Sequence, residues 1–123
     1  MNPRNYLRRP EYIWRPRQVF RRFGRLGKKP GETEEVTLPW GARVLVRPKE
    51  NVGADIYYYG IFDPIVPEAI WRLLDVGEAA LDIGANIGQN TSAMAFRSGP
   101  AGSVIAFEPH PVTFGELRRN AER

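Results

Sequence analysis

Cysteine is absent from the sequence. That excludes disulfides, thiolate catalysis and zinc–thiolate sites, and it fits a cytoplasmic protein. Histidine occurs once, as His110, too little to assemble a metal site. No stretch approaches the roughly 18 consecutive apolar residues of a membrane-spanning helix. Residues 1–5 have no apolar run behind them, so no secretory signal is expected. Internal repeats and low-complexity tracts are missing as well, which argues against a solenoid or a linker-like chain.

What is present suits one small domain. The 123 residues are 42% hydrophobic, enough to bury a core and too much for wholesale disorder. Charge is unevenly placed. Residues 1–30 hold ten basic side chains against one acid, Glu11, a net of +9; the rest hold eight basic against thirteen acidic, a net of −5. The basic character belongs to an arm, and the acidic remainder predicts no broad nucleic-acid-binding face.

The arm and its linker occupy residues 1–34. From Pro16, Val19, Phe20, Phe23 and Leu26 form one apolar stripe of a helix, with Arg17, Arg21, Arg22 and Arg25 opposite. Residues 1–30 can therefore meet an anionic membrane surface weakly, or pack their stripe on the domain or on a second subunit. Residues 35–78 form a lead-in element. Short strands are predicted at 35–38 and 43–47, joined by a type I turn with Pro39 and Gly41 at its second and fourth positions. Val44 and Val46 share one strand face. Residues 48–63 read as loop, with a strand around residues 57–59. Residues 67–75 read as a helix with Ile70, Leu73 and Leu74 on one face and Gly77 beyond its end. Trp40, Trp71 and the consecutive Tyr57, Tyr58 and Tyr59 read as packing residues.

Residues 79–123 carry the motif. An apolar strand over residues 79–83 delivers Asp82 into a turn bounded by Gly84 and Gly88. A helix follows to Arg97, then a strand over residues 104–107 ends on Glu108. A last helix opens near Pro111 or Thr113, where Thr113 with Glu116 would make a capping box and Val112 with Leu117 a hydrophobic staple. Strand, glycine turn, helix, strand and acid make a nucleotide-binding α/β unit, whose ligands sit at the carboxyl edge of the strands. The first strand is apolar on both faces, as a buried parallel strand of a complete sheet is, so an incomplete sheet is expected to expose an unpaired edge and apolar faces.

A dinucleotide fingerprint wants three glycines. Here Asn86 holds the middle position and Gln89 the third, so the loop keeps a tight turn without the bare backbone a pyrophosphate needs. A ligand with a nucleoside at one end and an amino acid at the other fits better. Asp82 can meet an ammonium, the helix start a carboxylate, and Glu108 both hydroxyls of a ribose. S-adenosylmethionine is such a ligand.

The run Leu81-Asp82-Ile83-Gly84-Ala85-Asn86-Ile87-Gly88, followed by Ala106-Phe107-Glu108-Pro109, resembles the FkbM family of S-adenosylmethionine-dependent methyltransferases. Val36-Thr37-Leu38-Pro39-Trp40-Gly41, Tyr59-Gly60-Ile61-Phe62-Asp63 and residues 117–120 add to the likeness, which runs from about residue 35 onward. It implies an α/β fold, an incomplete Rossmann-like methyltransferase domain supplying its first two core strands, preceded by a short β element and a basic helical arm. It also implies methyl transfer to an oxygen of a small molecule or sugar. A complete domain of this class has a seven-stranded sheet, so the likeness implies an amino-terminal fragment, inactive by itself.

The cofactor-binding set expected on this basis is Asp82, Gly84, Asn86, Gly88 and Glu108, with no catalytic base to name. Blander roles stand beside it. Asp82 can cap the turn, Glu108 can be a solvated strand-end acid, and Asn86 can brace the loop or simply tolerate a left-handed backbone. Two other readings compete: a nicotinamide-dependent oxidoreductase fragment, and a non-catalytic scaffold that uses the basic arm.

Overall fold

The computed structural model describes residues 29–123. The predicted arm helix with its Val19, Phe20, Phe23 and Leu26 stripe lies outside the described residues, as does nearly all of the proposed membrane-contacting segment. The described chain is mixed α/β, with four helices and two small sheets. Among the described residues no helix is long and apolar enough to cross a membrane.

Strands β1 (Glu34–Thr37) and β2 (Arg43–Val46) form an antiparallel hairpin with Val36 opposite Val44. The predicted turn is present: Gly41 N–H donates to Leu38 O at 2.9 Å and Leu38 N–H to Ala42 O at 2.7 Å. As the alternation requires, Val44 and Val46 are buried while Arg43 is exposed.

Residues 48–63 differ from the expectation of loop and strand. Asn51–Tyr59 is a helix, α1, ended by Gly60 in the left-handed region. Valine, isoleucine and three tyrosines favour strands and Gly53 penalises a helix, so local propensity pointed the wrong way. Packing overrides it. Gly53, Ile56 and Tyr57 fall at i, i+3 and i+4 and are all buried, laying one helix face on the hairpin. Val36, Leu38, Val44, Val46, Ile56 and Tyr57 make the core, and Ile87 of the glycine turn inserts among them. Each such side chain contributes about 1.5–3 kcal/mol by leaving water. Tyr58 and Tyr59 are exposed, so only Tyr57 is a core residue.

Helix α2 (Ile65–Leu73) begins and ends two residues earlier than expected. Ile70 is buried, but Leu73 is 81% exposed and does not share its face. Arg97 ties α2 to the next helix, reaching Trp71 O at 3.2 Å and the Asp75 carboxylate at 2.9 Å. The Trp71 ring N–H is buried with no acceptor.

Strand β3 (Ala79–Ile83) pairs in parallel with β4 (Ser103–Phe107), Asp82 lying opposite Ala106. The crossover is α3 (Gln89–Ser98), which packs on both strands. Helix α4 (Pro111–Ala121) follows β4 and returns to the hairpin.

In this half one expectation is met and one fails. The β3–β4 sheet leaves an apolar face exposed, as expected of an incomplete sheet. α3 covers the side of Asp82, whereas Leu81, Ile83, Ile105 and Phe107 are between 53% and 80% exposed on the other. Parallel sheets ordinarily carry helices on both faces, and among the described residues no element covers this one. The capping box does not form. α4 opens at Pro111, and His110 is its N-cap, accepting from Thr113 N–H at Nδ1. Glu116 instead pairs with Arg47 at 2.7 Å, and Val112 is exposed.

Candidate functional site

The loop of residues 84–88 runs from the carboxyl end of β3 to the start of α3. Three of its five residues have positive φ: Gly84 at 79°, Asn86 at 51° and Gly88 at 94°. A side chain at Gly84 or Gly88 would be strained on that ground alone. At Gly88 an added Cβ would also stand 2.9 Å from Leu117 Cδ1, so this glycine lets α4 approach. At Gly84 the space is open, with nothing within 4 Å.

Every backbone N–H of the loop is used within the chain. Gly84 and Ala85 N–H both donate to Phe107 O at 2.9 Å, Asn86 N–H donates to Glu108 Oε2 at 2.9 Å, and Gly88 N–H to Ala85 O at 2.9 Å. Ile87 N–H donates to the Asn86 side-chain oxygen at 2.8 Å. Asn86 thus fills both of its expected roles, left-handed backbone and side-chain brace.

Asp82 and Glu108 are the two acids of this edge. Asp82 is 7% exposed and accepts from the Thr91 hydroxyl at Oδ2, 2.5 Å away. Its other oxygen, Oδ1, has no partner among the described residues. An ionised carboxylate can accept about four hydrogen bonds, and Oδ1 is not among the fully buried unpartnered atoms, so water or a ligand can reach it. Glu108 accepts Asn86 N–H at Oε2 and His110 N–H at Oε1, both at 2.9 Å. One acceptor direction on each oxygen stays open.

Beside Asp82 lies the first turn of α3. Its leading N–H groups, on Gln89, Asn90 and Thr91, have no partner among the described residues, as at any uncapped helix start. The turn is held from two sides. The Gln89 side-chain amide grips the Phe62 backbone, accepting its N–H at 2.7 Å and donating to its O at 2.8 Å. The Ser92 hydroxyl accepts from Trp40 Nε1 at 3.0 Å, joining the hairpin turn to α3.

The predicted five residues therefore come together around one strand edge, in two roles. Asp82 and Glu108 present acceptors there, while Gly84, Asn86 and Gly88 shape the loop. Sequence reasoning missed Thr91, Gln89, Ile87 and Asn120. Asn120 accepts Leu45 N–H at 2.8 Å and donates to Leu45 O at 3.1 Å and Ile87 O at 2.8 Å, tying α4, hairpin and loop at one point. Thr91 had a signal, a polar side chain in the first turn of the helix that must pack over β3. Asn120 had none, because its partners are backbone atoms distant in sequence. His110 acts as a helix cap. Among the described residues no group of acids and histidine is arranged to hold a metal ion. No protein-family model, curated protein or solved structure matches this chain.

Proposed function

We propose that the β3–α3–β4 unit is the opening of a Rossmann-like methyltransferase domain and that its edge binds S-adenosylmethionine. The observation that carries the reading is the Asp82 carboxylate, mostly buried, with one accessible oxygen that has no partner among the described residues, beside the uncapped first turn of α3. A zwitterionic amino acid complements that arrangement. Its ammonium meets Asp82 Oδ1, and its carboxylate meets the N–H groups and partial positive charge of the helix start. The open space at Gly84 admits the thioether, and the remaining acceptor directions of Glu108 suit two vicinal hydroxyls.

The loop favours this ligand over a dinucleotide. All five of its N–H groups are engaged internally, so the loop offers a pyrophosphate no cradle. The function proposed is methyl transfer from S-adenosylmethionine to an oxygen of a small molecule or sugar. Reaction of this kind depends on holding the sulfonium in line with the acceptor at near-attack distance. Asp82, Gly84, Asn86, Gly88 and Glu108 serve by positioning the cofactor, and none of them performs the transfer.

Calorimetric titration of the 123-residue chain with S-adenosylhomocysteine and with NADH tests the reading. S-adenosylhomocysteine is expected to bind, and at about 100 times its dissociation constant to stabilise the fold by about 2.7 kcal/mol. Glu108→Ala is expected to weaken binding by roughly tenfold or more, the loss of charge-assisted hydrogen bonds. NADH binding with no response to S-adenosylhomocysteine overturns the proposal.

A further inference from the structure

Thr91 stands outside the predicted binding set, yet its hydroxyl makes the one hydrogen bond to the Asp82 carboxylate among the described residues. A threonine inside a helix can turn its hydroxyl back onto the carbonyl four residues earlier. For Thr91 that carbonyl is Ile87 O, which accepts from Asn120 Nδ2 at 2.8 Å and keeps a second lone pair. The Thr91 hydroxyl points to β3 instead, 2.5 Å from Asp82 Oδ2. Two neighbouring polar side chains are engaged elsewhere. The Ser92 hydroxyl donates to Gln89 O at 2.7 Å and accepts from Trp40, and the Gln89 amide is committed to Phe62.

We infer that Thr91 is a positioning residue for Asp82 and thereby sets selectivity for ligands that carry an ammonium group; this rests on the cofactor reading above. The hydroxyl occupies Oδ2 and fixes the rotation of the carboxylate, so that Oδ1 is the oxygen left for the ligand. Without it the carboxylate is free to turn toward the open N–H groups of the first α3 turn. It would then occupy the place proposed for the ligand's carboxylate while withdrawing the acceptor from the ammonium. Both effects fall on the amino-acid end of the ligand and spare the nucleoside end at Glu108.

The test compares two ligands by calorimetry on the full chain: S-adenosylhomocysteine, and 5′-methylthioadenosine, which shares the nucleoside thioether and lacks the amino acid. Thr91→Val keeps the side-chain shape and removes the hydroxyl; Thr91→Ser restores it. T91V is expected to weaken S-adenosylhomocysteine binding by about tenfold, the usual worth of a hydrogen bond to a charged group. It leaves 5′-methylthioadenosine within about twofold, and T91S returns both ligands close to wild type. In an Asp82→Asn background, T91V has no further effect, because the two residues act as one unit. Equal losses for both ligands, or no loss for either, overturn the inference while the cofactor reading stands. A wild-type chain that binds neither ligand overturns both. If T91V does not fold, T91S and D82N carry the comparison: T91S must bind both ligands like wild type and D82N must lose only S-adenosylhomocysteine.

Discussion

Gly53 offers the sharpest check on the architecture, because two effects of known size oppose each other there. It lies inside α1, where alanine is ordinarily preferred over glycine by about 0.8–1 kcal/mol. Yet α1 crosses the end of β2 so closely that a Cβ at Gly53 would fall 2.1 Å from Arg47 O, 2.7 Å from its carbonyl carbon and 2.9 Å from its N. These are backbone atoms, and Arg47 O also accepts Glu50 N–H at 3.0 Å, so they cannot swing aside. Forcing extra atoms into such a contact costs about 1–3 kcal/mol or more, since Ile56 and Tyr57 must retreat with the helix. With a clash near the upper end, Gly53→Ala is expected to lose about 2 kcal/mol net after the propensity gain. For a domain of this size that lowers the melting temperature by about 8–16 °C. Gly115→Ala is the matched control: it sits inside α4 with nothing within 4 Å of an added Cβ. The gain there is up to about 1 kcal/mol. Urea and thermal unfolding followed by circular dichroism read both signs. A G53A chain as stable as wild type, or more so, refutes the packing of α1 on β2.

Asn120→Ala removes three hydrogen bonds and strands the N–H of Leu45 and the O of Ile87, a loss of about 2–4 kcal/mol. Hydrogen exchange at the Leu45 amide should quicken more than the global change in stability accounts for; unchanged exchange refutes the brace. Ile83→Lys places a charge on the uncovered face of the β3–β4 sheet, where the wild-type side chain is 80% exposed. Stability is expected to stay within about 0.5 kcal/mol, and sedimentation should show less self-association than wild type as the apolar patch is broken. A fall of many degrees in melting temperature would mean that this face is covered.

Where local chemistry dominates, the fold was legible in the sequence. Alternation at Val44 and Val46 set the hairpin face, Pro39 and Gly41 set its turn, and Gly84 and Gly88 bracket the β3–α3 turn where the motif put it. The failures share a cause, a distant partner that outweighed local preference. α1 was hidden because its helical face exists only against β2. The Thr113–Glu116 box was displaced by Arg47, nearly seventy positions away in the chain, leaving His110 as the cap. The uncovered β3–β4 face, by contrast, was legible, because strands apolar on both faces need two covers and α3 supplies one only. For the candidate site, residue types and edge were readable, whereas the hydrogen-bond partners were not. That Thr91 and not a loop amide meets Asp82 follows from helix phase, which turns the first α3 turn toward β3, and from the internal use of every loop amide.

The hairpin explains why so short a loop is well defined. Gly84 and Gly88 adopt positive φ without strain, but they are free to leave it, and Asn86 carries a side chain that makes it less favourable there. Something must hold them, and here three independent restraints converge. Ile87 is a core side chain of the hairpin and α1, Asn120 fixes its carbonyl from α4, and Phe107 O with the Glu108 carboxylate fixes the preceding amides from β4. The lead-in element is therefore the support of the loop as well as a neighbour of the β3–β4 unit. A ligand meeting Asp82 and Glu108 finds both carboxylates anchored on a rigid frame, so little ordering remains to be done on binding. The same logic separates the two acids. Glu108 is held by the backbone N–H groups of Asn86 in the β3–α3 loop and of His110, the residue capping α4. Asp82 depends on a single side-chain hydroxyl, which makes its orientation the more readily altered by substitution.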